Sequence, residues 1–410
     1  YVMEIWRKED ADASALIKKK DTIDTIKIKK ETDFRVVGIK GDPYMYRHVG
    51  MEFFDASDGR AINADSPGVG KTLQALGYIV HKRLRRTLVV CPASVKFSWE
   101  SEVKKWTKLK SYIIDSRTDL RKIGPEVEVW ICNYDILKKL LPELLKTRFD
   151  CIIADECHMA KNPSAIRTKA LRQLSRNSPH ILLLSGTPLL SRPIELFSLL
   201  NMVDPGVWNN YYEYAKRYCD MKPSRWGGMD MRGASNIQEL HSRISHYFIR
   251  RTKDEVLSEL PPKNYMNIPV EFSPEIAHQY DTAEDNFVAY LKHYAGKQPA
   301  EIARAIQAEK LVQLNVLRQI CALGKLPVAE DLITSIIEAN EKILVFSSFV
   351  EPLKRLQEKF SEQAVMLTGA TPVAERGLII NKFQTDPDTQ VFLGGMRSGG
   401  VGITLTAASY

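Results

Sequence analysis

No Cys-x-x-Cys pair occurs in this chain, although it carries six cysteines. Cys91, Cys132, Cys151, Cys157, Cys219 and Cys321 are scattered, and three lie in or beside apolar, strand-like runs. That spacing argues against a zinc site and against a disulfide framework. It reads as a set of reduced core cysteines in an intracellular protein. No apolar run approaches the roughly 20 residues that a membrane-spanning helix needs, so no membrane partner is expected. No secretory leader is visible, no internal repeat recurs, and no low-complexity linker divides the chain. The first residue is Tyr1 rather than Met, so the sequence is expected to be a fragment of a longer chain.

What is present is ordinary in bulk. A length of 410 residues predicts two or three domains. Hydrophobic content of 44% and charged content of 26% belong to a globular protein. A net charge of +8 permits a polyanionic partner without establishing one.

The informative features are local. Gly68-Val69-Gly70-Lys71-Thr72 follows a short strand and opens a helix-spaced apolar run at Leu73, Leu76 and Ile79. Such a context predicts a phosphate-binding loop, in which backbone N–H groups at a helix N-terminus cradle anionic oxygens. Pro67 to Leu73 are therefore the expected nucleotide-binding residues. Asp155-Glu156-Cys157-His158 ends the apolar strand Cys151-Ile152-Ile153-Ala154 and so brings two carboxylates to a strand's C-terminal edge. Lys71 is expected to meet the β- and γ-phosphates of ATP and Thr72 to ligate Mg2+. Asp155 would hold that ion's water shell, and Glu156 would polarise an attacking water. Lys71, Asp155 and Glu156 are the expected catalytic set. One position departs from the common G-x-x-x-x-G-K-[ST] form: Asp65 stands where its first glycine would be.

Along the chain, residues 1–40 form an N-terminal extension, expected to be β-rich or partly disordered, with Ile23, Ile26 and Ile28 on an alternating pattern. Its lysines read as a solvated face. Residues 41–205 alternate apolar strands (Leu88–Cys91, Val127–Cys132, Cys151–Ala154, Ile181–Leu184) with amphipathic helices. That is the rhythm of a parallel sheet covered on both faces. Residues 206–325 read as a linker with helical protrusions. Residues 326–410 resume the α/β rhythm, with strands at Ile343–Phe346, Val365–Leu367 and Gln390–Leu393.

Together these segments resemble the SWI/SNF-type DNA translocases, superfamily-two ATPases built from two RecA-like lobes. Ala64 to Thr72 is similar to the loop variant of that superfamily. Tyr46-Arg47-His48-Val49-Gly50 resembles the adenine-recognition segment, usually Tyr-Gln-x-x-Gly. Pro92-Ala93-Ser94, with Lys96 and Trp99 after it, resembles the motif that touches the DNA backbone. Asn133-Tyr134-Asp135 resembles the next DNA-proximal motif. Ser185-Gly186-Thr187-Pro188 resembles the segment coupling ATP state to DNA, a role extended to His158. Arg250-Arg251-Thr252-Lys253 through Lys263 resembles a stretch peculiar to the family. In the second lobe, Ser347-Ser348 resembles the fourth motif. Gly369, Thr371 and Arg376 lie in the segment after it, and Arg397 to Leu405, with Gly400 and Gly402, resembles the fifth. The likeness covers about residues 43–409. A finer one, carried by Ser191-Arg192-Pro193, Gly233 to Asn236 and Glu239-Leu240-His241, is to the annealing-helicase branch.

The resemblance implies an α/β fold of two RecA-like lobes with helical insertions, and ATP and Mg2+ as cofactors. It implies double-stranded or branched DNA as partner, a monomer, and a nuclear or nucleoid setting. Pro92, Ala93, Ser94, Lys96, Asn133, Ser347, Ser348, Gly369, Thr371 and Arg397 become the expected DNA contacts. His158, Ser185, Gly186, Thr187, Gly400 and Gly402 become the coupling residues. Arg47 stands where glutamine normally reads adenine, so the purine is expected to be held differently, for example by stacking. Arg250 and Arg251 read either as a solvated pair or as an inter-lobe contact. Trp99, Trp106 and Trp226 read as packing residues, and Lys104 and Lys105 as a solvated helix face. The sixth motif, with its arginine fingers, would lie beyond Tyr410. The second lobe is therefore expected to be truncated, with an unpaired edge near Thr404–Tyr410. An RNA helicase, a restriction motor and an ATP-binding switch remain open as other readings.

Overall fold

The computed structural model describes residues 18–29, 31–186, 192–224, 228–257, 264–285, 287, 309–396, 403 and 405–410. Thr187, Pro188, Ser191, Trp226, the Leu260–Lys263 stretch, Arg397, Gly400, Gly402 and Thr404 lie outside the described residues. The chain divides into two compact units, Tyr1–Pro261 and Pro262–Tyr410. Both are α/β, with parallel sheets of the RecA-like kind.

The first unit begins with α1, helical over 18–28, followed by α2 (Met45–Ala56), β1 (Arg60–Asn63), α3 (Lys71–His81), β2 (Thr87–Cys91), α4 (Lys96–Trp106) and β3 (Ser111–Ile113). Next come β4 (Val129–Asn133), α5 (Leu137–Thr147), β5 (Cys151–Asp155), α6 (Ile166–Arg176), β6 (His180–Leu184) and α7 (Phe197–Val203). The unit closes with α8 (Tyr211–Tyr218), the short pair β7 (Lys222–Pro223) and β8 (Met229–Asp230), α9 (Ile237–Ile244), β9 (Phe248–Ile249) and α10 (Lys253–Val256).

Seven strands form one parallel sheet in the order β3-β4-β2-β5-β6-β1-β9. The strand side chains alternate between two cores. Leu88, Val90, Cys132, Ile152, Ala154, Ile181 and Leu183 face the core shared with α5, α6 and α7. Val89, Cys91, Ile131, Ile153, Leu182 and Leu184 face the one shared with α2, α3 and α4. Burial on both faces is why these strands read as continuous apolar runs.

Two expectations are corrected here. Among its described residues the N-terminal extension is not β-rich: 18–28 is helical, and Ile23 and Ile26 are buried in the core that holds Val49, Phe53 and Phe54. Residues three apart share a helix face, whereas Ile28 turns outward and is 82% exposed. Three of its lysines are paired, Lys19 with Asp58 (2.5 Å), Lys27 with Asp24 (2.7 Å) and Lys29 with Glu52 (2.8 Å). Secondly, part of the stretch assigned to a linker belongs to the first unit. Trp208, Tyr214, Tyr218 and Leu240 join its core, and β9 pairs with β1.

The second unit holds α11 (Pro274–Asp285), α12 (Glu309–Gly324), α13 (Leu326–Glu338), β10 (Ile343–Ser347), α14 (Val350–Phe360), β11 (Ala364–Leu367), α15 (Val373–Thr385) and β12 (Val391–Gly395). Its parallel sheet runs β10-β12-β11. The expected open edge is covered where it is described. Leu344 N–H donates to the Tyr410 carbonyl at 3.0 Å, and Leu405, Ala407 and Ala408 pack on Phe383 and Phe392.

Candidate active site

The phosphate loop runs from the end of β1 into α3. Gly68 (φ +86°) and Gly70 (φ +98°) adopt left-handed backbone, which explains why glycine stands at both positions. Gly70 caps α3, so the N–H groups of the first turn point into the loop. Lys71 Nζ donates to the carbonyls of Asp65 (2.7 Å) and Ser66 (3.3 Å). Burial pushes its ammonium below the usual lysine range, against the pull of Glu156, Asp65 and Asp155. Thr72 is half-buried beside it. The Val69 and Leu73 side chains are buried, so only their backbone is available to a ligand.

β5 delivers the acidic pair to the same carboxyl edge. Asp155 Oδ2 accepts from the Trp99 indole at 2.8 Å, and the Asp155 carbonyl accepts from Tyr134 OH at 2.8 Å. Burial, aided by the neighbouring Glu156 charge, raises the Asp155 carboxyl to about 6. Glu156 sits at φ +48°, a backbone conformation that costs a non-glycine residue about 1–3 kcal/mol. Its Oε2 lies 3.1 Å from His158 Nδ1 and accepts from Ser185 Oγ at 3.3 Å. Burial opposes the Glu156 charge, but His158, Lys71 and Ser185 outweigh it and hold the carboxyl below its ordinary value. His158 Nδ1 also lies 3.1 Å from Ser185 Oγ, which closes a triangle of three polar groups. A Cβ at Gly186 would lie 3.0 Å from the Pro67 ring, so the segment after β6 touches the phosphate loop directly.

A buried polar network beneath the loop carries no sequence signal. Asp65 is fully buried and accepts from Arg251 Nη2 (2.6 Å), Arg251 Nε (3.1 Å) and Gln74 Nε2 (3.1 Å). Asn63 donates to Gln74 Oε1 at 2.7 Å, and Arg251 also donates to the Tyr46 carbonyl at 2.5 Å. Arg251 is therefore not solvated; it pairs within the first unit. Arg250 is exposed. Trp99 is a packing residue as expected, but it also holds the carboxylate assigned to the metal.

The segment expected to recognise adenine lies next to the loop. The Tyr44 and Tyr46 rings stack at 5.7 Å, and the Arg47 guanidinium lies 5.2 Å from the first and 5.6 Å from the second. A Cβ at Gly70 would lie 2.7 Å from Arg47 Nε, so Arg47 reaches the phosphate loop as well as the tyrosines. Tyr46 OH and Arg47 Nε are buried without a hydrogen-bond partner among the described residues. Orphaned buried polar groups beside a glycine-rich loop at a helix N-terminus fit a nucleotide. Among the described residues no group of three or more His, Cys, Asp and Glu side chains could hold a metal by itself. One carboxylate and a threonine suit Mg2+, which takes one or two protein ligands together with phosphate oxygens.

The expected DNA contacts of the first unit also collect at this edge. Ala93–Val95 forms a short turn after β2, with Pro92 before it and Lys96 opening α4. Asn133 ends β4 in register with Cys91, is 8% exposed, and donates to Asp135 at 3.3 Å. Lys104 pairs with Glu100 at 3.0 Å, and Lys105 lies 4.9 Å from the Trp106 ring. In the second unit, Ser347, Ser348 and Gly369 line one open groove of about 740 Å³ with Asn315, Arg318 and Arg376. Thr371 supports its rim: its carbonyl accepts from Arg376 Nε at 3.1 Å and its hydroxyl from Thr368 N–H at 3.0 Å.

Residues 46–325 match the SNF2-related domain family, and residues 324–410 match the helicase conserved C-terminal domain. The chain is 30% identical over 401 residues to the cattle (Bos taurus) protein "DNA annealing helicase and endonuclease ZRANB3", covering 93% of this chain and 36% of that one. It is 32% identical over 377 residues to the Caenorhabditis elegans "SWI/SNF-related matrix-associated actin-dependent regulator of chromatin subfamily A-like protein 1 homolog", covering 89% and 53%. The chain thus spans roughly a third to a half of the length of these relatives. The SWI2/SNF2 ATPase core of Sulfolobus solfataricus, solved in complex with double-stranded DNA, aligns with a TM-score of 0.50 at 25% identity, covering 88% of this chain and 79% of that one. This chain belongs to the SNF2-related family of helicase-like ATPases.

Proposed function

We propose that this protein is an ATP-dependent double-stranded DNA translocase that remodels DNA or protein–DNA complexes without sequence specificity, the annealing of branched or fork DNA included. The observation that carries this reading is the convergence at one sheet edge. The phosphate loop, Asp155–Glu156, Pro92–Lys96 and Asn133 all lie at the carboxyl ends of neighbouring strands. The DNA-bound S. solfataricus core and the annealing-helicase relative support the choice of duplex DNA. In this reading residues 41–205 are the ATP-binding lobe, 326–410 the second lobe, and 1–40 and 206–325 accessories to them. The protein works inside the cell as a monomer.

ATP with Mg2+ supplies the phosphoryl group whose transfer to water drives movement. The loop amides and Lys71 bind and neutralise the phosphates, and Thr72 and Asp155 would hold the metal. Glu156 is kept ionised by His158 and Lys71, so it orients a water and accepts its proton. His158 and Ser185 hold Glu156 in place, and Arg47 with the tyrosine pair positions the base. Backbone-directed contacts on both units give a grip that ignores sequence. Alternation of that grip moves the protein along a duplex.

Glu156→Gln is expected to bind ATP normally and to hydrolyse it roughly 10²–10⁴-fold more slowly. Loss of nucleotide binding in that variant, read by isothermal titration, would contradict the role given to the carboxylate. DNA binding is expected to weaken steeply with salt, each phosphate contact adding about 0.9 to the log–log slope. A salt titration on duplexes of unrelated sequence tests it. A nearly flat response, or strong preference for one sequence, rejects the reading. Phosphate release stimulated by RNA rather than duplex DNA favours an RNA helicase, and binding without any turnover favours an ATP-dependent switch.

A further inference from the structure

Lys253 lies on top of the phosphate loop, and three independent contacts put it there. First, the ladder between β1 and β9 continues past both strands. Ala64 N–H donates to the Ile249 carbonyl at 2.7 Å, and Ser66 N–H to the Arg251 carbonyl at 2.9 Å. Secondly, Arg251 N–H and its guanidinium are tied to Asp65. Thirdly, Thr252 and Glu255 form a capping box: Thr252 N–H donates to Glu255 Oε2 at 2.7 Å, and Glu255 N–H donates to Thr252 Oγ1 at 3.3 Å. That turn fixes Lys253 directly after a segment already paired with the loop.

The side chain then reaches across Gly68. A Cβ built at Gly68 would lie 2.6 Å from Lys253 Cε and 2.9 Å from Nζ. The left-handed backbone at Gly68 calls for glycine, and the flexible end of the lysine lies over it. The Lys253 ammonium has no hydrogen-bond or ion-pair partner among the described residues, and Glu255 is engaged with Thr252. A half-buried lysine without a carboxylate partner among the described residues, beside a glycine-rich loop that opens a helix N-terminus, is placed to meet an anion. Lys71 enters the loop from the helix side, and Lys253 comes from the opposite end of the first unit's sequence.

We propose that Lys253 is a second phosphate-binding cation of the nucleotide site. The assignment rests on the ATP-site reading above. It places a phosphate contact on the very stretch of chain that continues in sequence into the second unit.

The test is nucleotide affinity, read by isothermal titration with ATP and Mg2+ on the whole chain. Lys253→Met keeps the aliphatic stem over Gly68 and removes the charge, so the loop stays packed. It is expected to weaken ATP binding by roughly tenfold to a hundredfold, as for one charge-assisted hydrogen bond, with an unchanged thermal unfolding midpoint. Lys253→Arg is expected to restore most of that loss. Wild-type affinity in Lys253→Met, with Lys71→Ala still impaired, overturns the proposal and leaves the ATP site standing. Weak binding in Lys253→Met that arginine fails to rescue points to packing and also overturns it. Wild-type behaviour of Lys71→Ala sinks the ATP-site reading itself.

Discussion

Lys71→Ala is expected to lower DNA-stimulated phosphate release by roughly a hundredfold or more. The variant removes a cation preorganised against the loop carbonyls of Asp65 and Ser66 and facing Glu156 and Asp155. Phosphoryl transfer needs positioning and charge neutralisation more than covalent help from the protein, so one lost cation is felt strongly. Burial already disfavours the Lys71 charge. The site thus holds an ammonium that gains most when phosphate charge is brought to it. The variant differs in kind from Glu156→Gln, in which the phosphate-binding groups are intact and only the water-orienting carboxylate is lost. A steady-state phosphate-release assay with saturating duplex DNA measures the effect. Turnover within about threefold of wild type would remove Lys71 from the catalytic set, since stabilising developing charge is ordinarily worth far more.

What the sequence made legible is what is local. The strands of both units are continuous apolar runs because a covered parallel sheet buries both faces, and those runs are visible without a structure. Gly68 to Thr72 and Asp155–Glu156 are contiguous, and their backbone and strand-end contexts are short-range. The misreadings have physical causes. Ile26 and Ile28 fit an alternating pattern, but Ile23 and Ile26 are the buried pair, three residues apart on a helix. The edge near Tyr410 looked unpaired because the bond that covers it joins residues 344 and 410. The double role of Trp99 is invisible for a similar reason, since Trp99 lies on α4 and its partner Asp155 ends β5. Asp65 was noticed only as a departure from glycine. Its reason, Arg251, lies 186 residues away in sequence, and no periodicity or spacing rule reaches that far.

That pair carries the second large expected effect. Asp65 is 0% exposed and Arg251 5% exposed, with a 2.6 Å contact between Oδ2 and Nη2. Arg251→Ala strands the Asp65 carboxylate in the protein interior and also removes one donor each from Gln74 Oε1 and the Tyr46 carbonyl. Removing one partner of a buried pair costs about 3–5 kcal/mol, far more than breaking an exposed one such as Arg232–Asp230. Arg251→Lys is not a conservative rescue, because one ammonium cannot reproduce the donors that the guanidinium spreads over three acceptors. Asp65→Ala combined with Arg251→Ala should cost less than the two single losses added together, since the stranded charge is gone. All six tryptophans lie in the first unit, so urea unfolding followed by tryptophan fluorescence reports on that unit alone. The alanine variant should also lose ATP affinity, because Arg251 anchors both the loop at Asp65 and the backbone at Tyr46. A loss below about 1 kcal/mol would be the behaviour of a solvent-exposed pair. It would mean that the network under the phosphate loop does not hold the loop in place.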